Sequence, residues 1–163
     1  MRSLLILIGI LIPSTAFAQI VISEVMWAGS EVSSADEWLE IANISGEEIN
    51  LSGWSITKRA SDGGNTVMVS FPEDAVIGAG EFYLIANYDS DNSALTVSPD
   101  LITTAVSLSN TKLFLQIKDI EGQVIDAVDD GSGSPFAGGK NPYLSMERID
   151  LFSSGEDSNN WKS

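Results

Sequence analysis

The chain contains no cysteine and no histidine. Without cysteine there are no disulfides and no thiolate chemistry, so packing alone must hold the fold. Without histidine, serine–histidine and cysteine–histidine catalysis and nearly every zinc site are excluded. Bases are scarce as well: 8 Lys and Arg stand against 23 Asp and Glu, for a net charge of −15. A field of that sign repels phosphate backbones and anionic lipid, which argues against nucleic acid or a membrane surface as partner. It suits solubility outside the cell, divalent cations or basic partners. An amphipathic helical period of useful length is also missing.

Arg2 precedes an apolar run from Leu4 to Ile12, too short to span a bilayer. Pro13-Ser14-Thr15 breaks the run, and Ala16-Phe17-Ala18 supplies a small-x-small cleavage pattern. Residues 1–18 therefore read as a secretory signal peptide, with Gln19 the first mature residue. The expected location is secreted, periplasmic or at the cell surface, with no membrane span after cleavage. The absence of cysteine at the junction excludes lipoprotein processing. Loss of Arg2 takes the net charge from −15 to −16. The remaining residues, 19–163, are enough for one domain with a real core.

That domain reads as strands separated by turns. Ile20–Trp27 opens it, with Glu24 on the face of Ile20 and Ile22. In Glu37–Asn43, Leu39 and Ile41 share one face while Trp38 and Glu40 share the other. Leu51 is expected to begin a return strand running to Thr57. Further strands follow over Thr66–Phe71, Ala75–Ile77 and Glu81–Asn87, with Leu101–Ser107 ambiguous. A hairpin spans Lys112–Lys118 and Gln123–Val128 around Asp119-Ile120-Glu121-Gly122. Tyr143–Asp150 is a last strand, and Leu151–Ser163 a polar tail carrying Trp161. Such spacing predicts an all-β sandwich or barrel.

An ordered set of short matches resembles the lamin tail domain family of exported bacterial proteins. The set comprises Ile22-Ser23-Glu24-Val25, Asp36–Asn43, Leu51-Ser52-Gly53-Trp54-Ser55-Ile56, Ile77–Phe82, Leu108-Ser109-Asn110, Val124-Ile125-Asp126, Ser145–Arg148 and Asn159-Asn160-Trp161. The resemblance implies an immunoglobulin-like β-sandwich acting as an interaction module. It carries no activity of its own, because fold does not determine function. Lamin tails contact proteins and nucleic acid; the acidity here departs from what a DNA-binding version needs.

Several residues invite chemistry. Glu24, Asp36, Glu37 and Glu40 form an acidic group that could hold a cation or supply a carboxylate pair for glycoside hydrolysis. A structural role weighs more heavily: Glu24, or failing that Glu40, as ion-pair partner of Arg148, tying the last strand to the first ones. Asp89, Asp91 and Ser93 place oxygen ligands at alternate positions, with Asp100 where a twelve-residue calcium loop has its final acid. Ala94 stands where that loop requires glycine. Gly133–Lys140 lacks the first glycine and the Ser or Thr of a phosphate-binding loop. Trp38, opposite the apolar face of its strand, is the tryptophan best placed to contact a ligand, whereas Trp54 reads as core. The expected function is a non-enzymatic structural or interaction module with no cofactor, calcium excepted, whose partner is a protein or a surface glycan. A cation- or carbohydrate-dependent adhesion module is the second reading and a carboxylate-based hydrolase the third.

Overall fold

A computed structural model describes residues 19–163 of the chain; the signal-peptide reading of residues 1–18 lies outside the described residues. The strands are β1 (Ile20–Met26), β2 (Trp38–Asn43), β3 (Ile49–Asn50), β4 (Ser55–Arg59), β5 (Asn65–Ser70), β6 (Val76–Ile77) and β7 (Phe82–Ala86). They continue with β8 (Leu101–Ile102), β9 (Leu115–Lys118), β10 (Val124–Val128), β11 (Gly139–Lys140), β12 (Tyr143–Leu144), β13 (Met146–Arg148) and β14 (Trp161–Lys162). One sheet has the order β14-β13-β1-β2-β7-β8 and the other β10-β9-β4-β5; β3-β6 and β11-β12 form two short ribbons. Apart from the parallel β7-β8 contact, the sheet pairings are antiparallel.

Period-two alternation puts one face of each sheet into a shared core. From the larger sheet come Ile20, Ile22, Val25, Leu39, Ile41, Ile85, Met146 and Trp161; from the smaller come Ile56, Val69, Leu115, Ile117 and Val128. All are buried. Each such aliphatic side chain contributes about 1.5–3 kcal/mol by leaving water, which is the stabilisation a chain without disulfides must rely on.

The Leu51–Trp54 stretch is not the beginning of a return strand. Leu51 is fully buried, Gly53 takes a φ of 75°, and the Trp54 amide closes the turn on the Leu51 carbonyl at 2.9 Å. A positive φ at the third position is where such a turn demands glycine. The turn carries the chain to the opposite layer, so β4 belongs to the other sheet from β2 and pairs instead with β5 and β9. Trp54 packs half-buried against the core, as the sequence suggests.

The final segment also departs from a plain tail. Asp157 accepts from the Asn159 amide and starts a 3-10 turn over Ser158–Asn160, and β14 then adds to β13 with Arg148 opposite Trp161. Asn160 secures the reversal, accepting from the Asp150 amide and donating to the Asp150 and Ser154 carbonyls. Trp161 closes the core and donates its indole N–H to the Gly155 carbonyl at 2.9 Å.

Candidate functional site

The bulge in β1 governs where the conspicuous charges point. Ile22 lies opposite Ile41, yet Glu24 lies opposite Glu40, so Ser23 is the extra residue. An extra residue reverses the facing of everything after it. Glu24 is thereby turned off the apolar face it shares with Ile20 and Ile22 in an unbroken strand, while Val25 is turned into the core. The expected pair of Arg148 with Glu24 or Glu40 is accordingly not formed. Arg148 shares the inward face with Met146 and pairs with Asp126 of β10, at 2.7 Å from Nη1 to Oδ2 and 3.2 Å from Nη2 to Oδ1.

This ion pair stands where a neighbouring strand would otherwise continue along β1. Asp126 accepts from the Ile22 amide at 2.9 Å, and Arg148 donates to the Ile22 carbonyl at 3.1 Å. Both backbone groups of Ile22 are thus satisfied by side chains of the two flanking elements. The guanidinium also lies 5.9 Å from the centre of the Trp161 ring and donates to the Ser153 carbonyl. The arrangement is a structural clasp between the sheets.

The outward face of the larger sheet holds the acidic residues. Glu147, Glu24 and Glu40 sit directly opposite one another on β13, β1 and β2. Ser145 donates to Glu24, and Ser23 donates to Glu40 at 2.8 Å. Burial pushes the Glu40 carboxyl above the usual carboxylate range, and the charges of Glu24, Asp100 and Glu147 push the same way against the Ser23 hydrogen bond. Lys162 answers Glu147 from the sheet edge at 3.0 Å. Beside this row lies an apolar one, with Trp38 half-buried between Met26 and Ala86.

Trp38 differs from the other tryptophans in having this outward position. Trp27 is buried and donates to the Ala137 carbonyl at 2.8 Å, Trp161 is in the core, and Trp54 leans on it.

The calcium-loop candidates do not converge. Asp89 accepts from Asn92, Ser93 donates to Asp36 at 2.5 Å, and Asp100 accepts from the Leu84 amide at 2.8 Å. Asp91 stays in the exposed loop. Among the described residues no group of three or more Asp or Glu is arranged to hold a metal ion.

The buried acids instead fasten loops. Asp36 accepts from Ser30 Oγ, Ser93 Oγ and the Ala94 amide, joining the two loops that flank β2 and β7. Glu37 accepts from the Leu108 amide at 3.0 Å; burial raises its carboxyl, while that bond and the charges of Lys58 and Lys140 oppose the rise. Asp129, completely buried with a φ of 66°, accepts from the Asp130 and Phe136 amides. Sequence reasoning missed Asp126, Asp129 and the anchoring use of Asp36. The available signal was a lone carboxylate inside an otherwise apolar strand, as at Val124–Val128.

The model of the lamin tail domain family matches residues 13–132. The chain belongs to the lamin tail domain family. The lamin tail fold is immunoglobulin-like, in agreement with the two packed sheets, and the family suggests a structural or interaction domain. Curated protein sequences yield no match. The match stops before β11–β14, so Arg148 and Trp161 of this lamin tail domain lie beyond the matched residues.

Proposed function

We propose that this lamin tail domain is an exported, non-catalytic interaction module that works at the cell surface or in the extracellular space. Export is supported by the Leu4–Ile12 run and Ala16-Phe17-Ala18. The observation that carries the interaction role is the outward face of the six-stranded sheet. It displays half-buried Trp38 beside three aligned glutamates, none of them used by the core. The buried acids Asp36, Glu37, Asp126 and Asp129 are committed to holding loops and sheets together, which suits a scaffold better than an acid–base pair.

A second reading is favoured by Trp38 alone: an indole beside hydrogen-bonding carboxylates is the kind of platform on which a sugar ring stacks. Its expected signature is a glycan-array signal that disappears in Trp38→Ala without a change in melting temperature. The export reading is tested by the mass of the chain recovered from a secreting bacterial host. A mass beginning at Gln19 supports it, and retention of residues 1–18 in the cytoplasm overturns it.

A further inference from the structure

The seven bases of the 19–163 segment are unevenly used. Arg148 is buried against Asp126 and Lys162 is paired with Glu147, and these are the ion pairs among the described residues. Three of the others, Lys58, Arg59 and Lys112, line one pocket of about 130 Å³ between the end of β4 and the loop leading into β9. Acids outnumber bases by 23 to 8 in this chain, yet these three bases line one pocket and none of them is in an ion pair among the described residues.

The pocket is built by the fold. Lys58 is half-buried and held by the Ser107 carbonyl at 3.0 Å, which uses one of its three N–H groups. The Arg59 guanidinium stacks 4.7 Å over the Phe114 ring and is positioned by the carbonyls of Gly63 and Asp130, with its buried Nε lacking a partner. Carbonyls orient these groups without cancelling their charge. Ser109 Oγ accepts from the Lys112 amide at 3.0 Å, which fixes the backbone of this exposed lysine at the pocket's rim. Neighbouring acids are turned to other tasks: Asp130 accepts from the Ser132 amide and hydroxyl, and Glu37 from the Leu108 amide. The Glu37 charge still reaches Lys58 and moderates the site.

We infer that this pocket binds a single oxyanion group, a sulfate, phosphate or carboxylate borne on a larger, sparsely charged extracellular molecule such as an acidic polysaccharide. Size sets the first limit, because pockets for whole small molecules run to roughly 300–1,000 Å³. The field sets the second. A polymer with one charge every ~1.7 Å must bring many charges close to a protein of net charge −15, whereas one seated oxyanion brings a single charge to a pocket lined by three bases. The oxyanion seat is independent of the Trp38 reading, since it lies on the other sheet, whereas the extracellular source of its ligand rests on the export reading proposed above.

The test is a titration of the purified, isotope-labelled chain with sodium sulfate, followed by amide shifts against a sodium chloride control at equal ionic strength. Saturable shifts confined to residues 58–59 and 107–115 are expected. Lys112→Gln is expected to weaken binding about tenfold, and Lys58→Gln/Lys112→Gln to abolish saturation. Lys112 is exposed, so an unchanged melting temperature in Lys112→Gln separates lost binding from lost folding. Shifts that match the chloride control, or saturation that persists in the double variant, overturn the site. Sodium phosphate and acetate then rank the oxyanion. A carboxylated polysaccharide and single-stranded DNA complete the comparison, and tighter binding of the DNA overturns the sparse-polymer assignment.

Discussion

Asp126 and Arg148 do at the level of single atoms what a strand does along its length, since together they occupy both hydrogen-bonding groups of Ile22. Removing one partner leaves a buried charge uncompensated, so Arg148→Ala is expected to cost about 3–5 kcal/mol, read as a lower urea midpoint. Glu24→Gln, on the outward face, is expected to stay within about 1 kcal/mol of wild type. Equal losses in the two variants would refute this distinction. Glu40 carries the opposite sign. Its folded carboxyl is raised above the ordinary value of 4.5, so the folded state holds the proton more tightly. Its contribution is therefore most favourable below pH 4.5 and is lost as pH rises through the folded value. Glu40→Gln should raise the urea midpoint at pH 7, by less than about 1 kcal/mol in stability, with the gain vanishing at pH 4. A loss of stability at pH 7 would sink this reading.

At the level of elements, the longer strands and most of their boundaries were legible because period-two alternation and turn residues are local signals. The expected last strand Tyr143–Asp150 is instead divided into β12 and β13, and the short β3 and β11 carry no period. Trp38 opposite Leu39 and Ile41 is found as the alternation predicts. What could not be read depended on one residue or on distant contacts. The bulge at Ser23 leaves no compositional trace, yet it redirects Glu24 and thereby changes the partner of Arg148. The Leu51–Trp54 turn looked like a strand because Leu51 and Trp54 are apolar, but their apolarity serves a turn plugged into the core. The β14 segment was hidden for another reason: two residues carry no period, and only their pairing with β13 makes them a strand. Gly155 anchors that ending, its carbonyl accepting from the Asp129 amide and the Trp161 indole. A Cβ there would meet the Ala127 carbonyl oxygen at 2.4 Å and the Val128 side chain at 3.2 Å. Gly155→Ala is expected to lower thermal stability as Trp161→Ala does, the latter by about 3–5 kcal/mol. Near-additive losses in the double variant would show that the glycine does not act through the docking of Trp161.

Across the whole molecule, a net charge of −15 on a fold this small makes self-repulsion a general cost. Raising sodium chloride from roughly 10 to 150 mM shortens the Debye length from about 30 to 8 Å and is expected to raise the melting temperature. Calcium at matched ionic strength should do no better, because Asp89, Ser93 and Asp100 are occupied in three separate places. A calcium-specific rise would restore a cation site.

The docking of β14 has a bearing on when the protein can fold. Trp161 completes a core whose first strand begins at Ile20, and β1 lies between β2 and the late strand β13. β1 must wait for β13 and β14, which lie much later in the chain, before the six-stranded sheet can close. A chain sent through a narrow translocation channel benefits from that delay, because premature closure would block its passage. On the export reading proposed above, late completion of the sheet keeps the chain threadable while it crosses.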